Sequence, residues 1–438
     1  MYTPSCSTCK PRPTSSRRHR GCRKRWGGRA INGHQPDTVV IIPTYNRSGL
    51  LRRTLTTLTR QRVGPDVFEV IVADDGSTDG TRAVVDEFSD RLDISYHFQE
   101  DLGFRAGTAR NAGARLARAP LLVFLDSGAA VGPDFVHHHR LAHRAGTAPR
   151  MSLGYAYGYN PDDPMPGIEE ALRRWTPEQT VAHFVDEPAF RDLRHASLVA
   201  CDFDLSRRAL PWNLSWTINC SLPADVFWAV GGFDDTFVGW GAEDLEFAFR
   251  LHQAGVGFHV NRDAWAIESP HERDWDLLDK TFLTNMDRFL NKHREPIVEI
   301  GTVLVAKLRH LEWDECVDEL RQWTHAARDR DVADEIERAV RDSGPGERMA
   351  IFGCGARVPG SLPPAVLLDV DREKLDAALA GGPHVGHHAV GVRTPLPDQV
   401  VDTVVLTSRL GGLRQRWNDD LLTEAQRIGR RVVDVAVP

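Results

Sequence analysis

Four short, largely apolar runs dominate the first third of the chain, at residues 38–43, 68–73, 94–98 and 121–125, the first and last of them without a charged residue. Runs of this length without polar alternation predict strands buried on both faces of a parallel sheet. Between them the apolar positions fall at helical spacing: Leu50, Leu51, Leu55 and Leu58, then Val84, Val85 and Phe88, then a helix over 107–119. Alternating strand and helix predicts an α/β architecture whose ligands sit beyond the carboxyl ends of the strands. Those ends carry Pro43-Thr44-Tyr45-Asn46-Arg47, Asp74-Asp75 and Asp126. Polar groups therefore gather where a ligand is expected.

Further along, residues 150–215 are aromatic-rich and broken by Pro161, Pro164, Pro166 and Pro188, which predicts inserted loops or a lid. Residues 272–344 read as mostly helical and end in the linker sequence Ser343-Gly344-Pro345-Gly346. Strands at 348–352, 365–369, 401–406 and 431–435, with a Gly353-Cys354-Gly355 turn after the first, make a small second α/β unit. The expected division is a basic disordered tail over 1–36, a main domain over 37–275, a helical segment and linker over 276–344, and an accessory unit over 345–438.

Composition narrows the class. A chain of 438 residues, 41% hydrophobic and 26% charged, is a globular protein too long for one ordinary core. No apolar run reaches membrane-spanning length, and the first residues lack an apolar signal core, so the expected location is the cytoplasm. Seven scattered cysteines fit a reducing compartment. Cys6, Cys9, His19 and Cys22 have too irregular a spacing to predict zinc. Residues 1–34 hold nine Lys/Arg and no acid, so the rest of the chain is nine charges more acidic than the total of −7. An acidic body argues against nucleic acid as a partner.

The chemistry concentrates between Trp216 and His271. Gly239-Trp240-Gly241-Ala242-Glu243-Asp244 leads into the apolar period of Leu245, Phe247, Ala248, Phe249 and Leu251, a helix start with acids in its first turn. A capped helix alone would explain the acids. Their company suggests more: Asn219 and Gly231-Gly232-Phe233-Asp234 upstream, Ser269-Pro270-His271 downstream. Glycines let backbone approach a ligand, Trp240 offers a flat face to a sugar ring, and an adjacent carboxylate can take a hydroxyl proton.

Over roughly 37–275 these pieces resemble family-2 glycosyltransferases of the GT-A fold. The resemblance rests on Ile42 to Arg47, Val72 to Asp79, Ala109-Arg110-Asn111-Ala112-Gly113 and Phe124-Leu125-Asp126, in that order. The half containing Gly231 to Asp234 and Gly239 to Asp244 is similar to the acceptor half of galactosyl- and N-acetylgalactosaminyltransferases and of chondroitin-type polymerases. The fold implied is a mixed, mostly parallel sheet flanked by helices, with the small unit faintly resembling a methyltransferase or nucleotide-binding (Rossmann-like) fold.

The resemblance also implies roles. Pro43, Thr44, Tyr45, Arg47 and Asp75 would hold the nucleotide base, most often uracil. Arg105, Arg110 and Asn111 would face the diphosphate or sugar, and Asp126 the ribose or a metal. Asp244 would be the catalytic base and Glu243 would steady the acceptor. Trp240, Gly241 and Asn219 would line the acceptor site, and His271 would be a late metal ligand. The metal would be Mn²⁺ or Mg²⁺, yet the second acid of the family's Asp-x-Asp motif is Gly128 here, which puts the ion in doubt. Without it, Arg105 or Arg110 would carry the diphosphate charge. The expected activity is inverting transfer of a hexose or N-acetylhexosamine from a nucleotide-sugar, UDP-linked by family habit, to a carbohydrate, natural-product or peptide hydroxyl. A nucleotidyltransferase and a non-catalytic carbohydrate-binding scaffold are the alternatives. The oligomeric state stays open, a homo-oligomer included.

Overall fold

The computed structural model describes residues 35–435 apart from 145–146, 159–164, 272–274, 308, 310–311 and 345, and apart from the side chains of 275–277. Cys6, Cys9, His19 and Cys22 lie outside the described residues, as does most of the basic tail.

The main sheet has eight strands in the order β3-β2-β1-β4-β7-β6-β8-β5. Its parallel half is β1 (Thr38–Thr44), β2 (Phe68–Asp74), β3 (Ile94–Phe98) and β4 (Leu121–Leu125), in register with the four apolar runs. Every residue of β1, β2 and β4 is buried, as continuous apolar sequence requires of strands covered on both faces. Beyond β4 the sheet turns mixed. β7 (Asn219–Pro223) runs antiparallel to β4, β6 (Arg150–Tyr157) antiparallel to β7, β8 (Gly257–Ile267) parallel to β6, and the two-residue β5 (Ala130–Val131) closes the edge. This mixed sheet flanked by helices is a GT-A architecture.

Residues 150–215 correct the expectation of loops or a lid. They begin with β6, an interior strand, and continue through helices Ile168–Arg174, Pro177–Phe184 and His195–Ala200. Proline misleads there where it opens an element: Pro188 begins the short turn Pro188–Phe190, and Pro177 occupies the first helical turn after a Thr176–Gln179 capping box, while Pro161 and Pro164 lie outside the described residues.

The second sheet is wholly parallel: β9 (Met349–Phe352), β10 (Ala365–Asp369), β11 (Val385–His388), β12 (Val401–Leu406) and β13 (Gly429–Asp434), ordered β11-β10-β9-β12-β13. Its glycine turn is bonded within the protein. The Asp369 carboxylate at the end of β10 accepts from the Gly355 N–H at 2.8 Å and from Arg409 at 2.9 and 3.1 Å. Arg409 is 2% exposed and also donates to the carbonyls of Ala327 and Arg330. A buried guanidinium thus fills the crevice at the switch point.

The two sheets share one apolar core. Trp212, Phe249, Phe289 and Trp313 form its aromatic centre, with Trp212 and Trp313 edge-to-face at 5.0 Å, and Phe352, Leu406 and Trp417 reach it from the second sheet. Glu299, on the helix Pro296–Ala306, accepts four backbone N–H groups from Val390, Gly391, Val392 and Arg393 at 2.6–2.9 Å. That joint ties the helical segment to the second sheet.

Candidate active site

The turns after β1 and β2 are latched together. Asn46 N–H donates to Ser77 Oγ at 2.7 Å, Asn46 Oδ1 accepts from Thr78 N–H at 2.8 Å, and Ser48 N–H donates to Asp79 at 2.9 Å. The two adjacent acids divide their tasks. Asp74 caps its own turn, accepting from Gly76 and Ser77 N–H and from Tyr96 Oη. Asp75, 5% exposed, accepts from Gln99 Nε2 and the Arg105 backbone N–H at 2.6 Å each. Burial pushes its carboxyl above the ordinary range, against those hydrogen bonds. Beside it the exposed Tyr45 donates its hydroxyl to Asp101 at 2.8 Å.

Past Arg105 the strand ends open into a cavity of about 630 Å³. Arg110, Asp126, Trp240, Gly241, Glu243 and Asp244 all line it. Arg110, on the helix Ala106–Leu116, is 4% exposed and bridges two acids: Nη2 donates to Asp126 Oδ1 at 2.8 Å and Nη1 to Glu243 Oε1 at 3.4 Å. Arg110 Nε and Glu243 Oε2 are buried without a hydrogen-bond partner, so each still has capacity for a ligand.

The acids reach the cavity through a strained turn. Gly239 (φ +91°) and Gly241 (φ +89°) take left-handed conformations, and a Cβ on either would stand 2.6–2.7 Å from Thr281 or Phe282. Ala242 follows at φ +67° despite its side chain, immediately before the helix Glu243–Gln253. Backbone held in that region marks a position the surroundings enforce. Burial raises the carboxyl of Asp244, its neighbour Glu243 raises it further, and Arg110 opposes both. Burial also raises Glu243 against the pull of Arg110. Two like charges in one buried turn cannot both ionise cheaply.

Comparison with known proteins gives the family. Residues 39–159 match the model of glycosyl transferase family 2, and 198–269 that of the N-terminal domain of galactosyltransferase. Validoxylamine A glucosyltransferase of Streptomyces hygroscopicus subsp. limoneus is 43% identical over 421 residues, 92% of this chain and 90% of that protein. The chain belongs to the family-2 glycosyltransferases. Chondroitin synthase of Escherichia coli is 30% identical over 233 residues, 52% of this glycosyltransferase and 34% of the synthase. Among solved structures, a mannosyltransferase from Pyrobaculum calidifontis in complex with GDP-Man and Mn²⁺ aligns at TM-score 0.42 and 17% identity, over 64% of this chain and 71% of that one. The protein is therefore a glycosyltransferase using a nucleotide-sugar donor, which removes the nucleotidyltransferase and scaffold alternatives.

Three residues of this glycosyltransferase are placed differently from expectation. Asn219 is fully buried in β7, where it bonds His139 Nε2 at 2.9 Å and the Ala264 carbonyl at 2.8 Å; it braces the sheet and does not line the acceptor cavity. Asn111, 1% exposed, pins the Gly231–Asp235 turn through Phe233 N–H, the Phe233 carbonyl and Asp235, so it does not face the donor. The Arg105 guanidinium binds Asp75 and the Glu100 carbonyl, holding Asp75 in place. Pro43 and Thr44 are buried at the end of β1, and Arg47 precedes the helix Ser48–Leu58.

At the position of the missing acid the backbone is tied down on both sides. Gly128 stands at φ +104°, its N–H donates to Thr54 Oγ1 at 2.9 Å, and its carbonyl accepts from Ser269 Oγ. That last bond draws the Ser269–His271 turn against the Asp126–Gly128 loop. His271 Nδ1 lies 3.1 Å from the Ser269 carbonyl. Among the described residues no three His, Cys, Asp or Glu side chains assemble into a metal cluster. Enzymes of this family commonly use a divalent metal.

Several cavity residues gave no signal in the sequence. Asp279, Phe282 and Leu283 come from the helix Trp275–His293, Val305 and Ala306 from the next, and Trp313 from beyond it. Helical periodicity marks these as a packed face without saying that its end meets a ligand.

Proposed function

We propose that this glycosyltransferase inverts the anomeric centre, with Asp244 as general base and a hexose donor lying across the ends of β1, β2 and β4. The observation that carries the reading is the shared cavity in which Arg110 joins Asp126, at the donor side, to the Glu243-Asp244 pair. The acceptor hydroxyl enters over Trp240 and gives its proton to Asp244 as its oxygen attacks opposite the departing nucleotide. A base whose carboxyl is raised toward neutrality by burial suits that task. Asp75 and Tyr45 hold the base of the nucleotide, UDP by resemblance to the family.

Asp126, whose carboxylate is 37% exposed, and His271 are the residues that would hold Mn²⁺ or Mg²⁺, together with the donor's phosphates. Two protein ligands plus phosphate oxygens is an ordinary set for a hard cation. Bound there, the ion would neutralise the leaving diphosphate. Arg110 supplies a fixed positive charge to the same region.

The acceptor end is acidic and aromatic, with Glu243, Asp244 and Asp279 beside Trp240 and Phe282. This suits a polyhydroxylated natural product carrying an amine, in line with the validoxylamine A named for the 43% identical glucosyltransferase. Glucose is accordingly the sugar we assign. Four described cysteines, all free and buried, fit a cytoplasmic setting. No helix of the described residues is long and apolar enough to cross a membrane.

Asp244→Asn tests the reading. It should abolish sugar transfer while nucleotide-sugar binding, followed by calorimetry, stays within about threefold. Transfer at the wild-type rate would remove Asp244 from the mechanism. A thermal-shift series of UDP-, GDP- and dTDP-sugars with and without Mn²⁺ assigns the nucleotide and the ion.

A further inference from the structure

A second cleft, of about 690 Å³, lies between β6, β8 and the segment Arg191–His195. Tyr155, Tyr157, Val185, Arg191, His195, Arg262, Asp263 and Trp265 line it, and none of them lines the reaction cavity. Tyr155 and Tyr157 sit two apart on β6 and so share a face. Tyr157 stacks on buried Phe190 at 5.1 Å and meets Trp265 edge-on at 6.1 Å, 75° between planes. The two half-buried rings make a corner with apolar walls at right angles.

The polar groups around that corner are uncommitted. In a protein whose arginines are mostly ion-paired, the Arg191 and Arg262 guanidiniums have no hydrogen-bond or carboxylate partner among the described residues. Arg262 only lies over the Phe203 ring, at 4.2 Å. Burial first, then Arg191 and Arg262, keep His195 below its ordinary pKa against the opposing charge of Asp192. The His195 ring is fixed through Nδ1 to Tyr155 Oη at 2.8 Å. Asp263 offers a carboxylate to hydroxyl donors and is itself unpaired among the described residues. Isolated cations on the surface need no ligand. Two of them lining one cleft with a half-bare aromatic corner make a site for a ring that carries an anion.

We propose that this cleft binds a phosphorylated hexose, its ring seated in the Tyr157–Trp265 corner, its hydroxyls on Asp263 and its phosphate between Arg191 and Arg262. A phosphate monoester, near −2 at neutral pH, matches two guanidiniums better than a carboxylate does. The site is built on fixed parts. Asp192 and Arg194, 0% and 1% exposed, form a 2.7 Å ion pair inside the lining segment, and Arg194 also grips the Gly154 and Leu214 carbonyls. Leu193, between them, faces the reaction cavity. One five-residue segment therefore presents alternate side chains to two ligand sites.

Glucose 6-phosphate is the probe, titrated into the full chain by calorimetry beside glucose and inorganic phosphate. The expected result is binding of about 1 mM or tighter, at least tenfold stronger than either fragment. The double variant Arg191→Gln, Arg262→Gln should lose it while keeping the wild-type circular dichroism. Trp240→Ala, in the reaction cavity, should retain it. Absence of binding, binding that survives the double arginine variant, or binding lost in Trp240→Ala would each overturn the assignment. Both arginines are exposed, so their replacement leaves the core intact.

Discussion

Arg110 donates to Asp126 across 2.8 Å from a position only 4% exposed, and its second arm reaches Glu243. A buried cation between two acids holds three elements of the site in register. Arg110→Met should leave those carboxylates uncompensated and cost about 3 kcal/mol of stability, read as a fall in the thermal midpoint. Arg110→Lys should recover much of that midpoint and still transfer sugar at least tenfold more slowly, because an ammonium cannot fork to both partners. Equal activity in the lysine variant would show that charge alone suffices.

The Glu243-Asp244 pair sets the pH response. Asp244 is raised by burial and by the neighbouring negative charge, so it stays protonated to higher pH than a free carboxyl. The base must be ionised to accept a proton, and kcat/KM should therefore fall on acidification from a pH above the usual carboxylate range. Glu243→Gln removes the like charge, lowers Asp244 and should move that limb to lower pH. Superimposable profiles for the two proteins would mean that Glu243 does not act through Asp244.

Restoring the missing acid should not restore a metal site. Gly128→Asp would force a side chain into φ +104°, at a peptide whose N–H and carbonyl are both already bonded. A loss of about 1–2 kcal/mol is expected, seen as a lower midpoint, with no gain in Mn²⁺ affinity by calorimetry. Gly128→Ala should lose a similar amount, since the strain lies in the backbone.

The parallel half of the main sheet was legible because β1, β2 and β4 are wholly buried and leave largely apolar sequence, broken inside β2 only by Glu69, which Arg118 pairs. β6 was not: Arg150-Met151-Ser152-Leu153-Gly154 mixes small and polar residues whose burial is satisfied by neighbours, Ser152 by His259 and Gly154 by close packing against Asn219. For the site, Asp126, Glu243, Asp244 and Trp240 were readable from motif order. Asn219 and Asn111 carried the right chemistry for a ligand, and the fold spends it on internal bonds. No pattern in the chain announces that the helix Trp275–His293 completes the cavity wall.

Behind the sheet, His139 is fully buried between Ser221 and Asn219, and His143 reaches the same Ser221 hydroxyl at 2.9 Å. Burial lowers them to about 3 and about 4. Unfolded, each would titrate near 6.5, so the unfolded chain takes up protons first as pH drops. Stability is whole above about pH 6.5 and should decline below it, by up to about 1.4 kcal/mol per pH unit for each histidine. Denaturant melts at pH 7.5 and 5 compare the two regimes. A midpoint unchanged between them would mean that these imidazoles are already charged in the native state.

The guanidinium of Arg409, seated on Asp369, gives the second sheet a different bearing on the enzyme. That pair ties the turn after β9, the end of β10 and the segment after β12 into one bonded unit. It backs the aromatic cluster of Trp212 and Trp313, and Trp313 also lines the cavity that holds Arg110 and Asp244. A core change among residues 345–438, at Trp417 for instance, is therefore expected to be felt at the cavity wall without any residue of that unit lining the cavity.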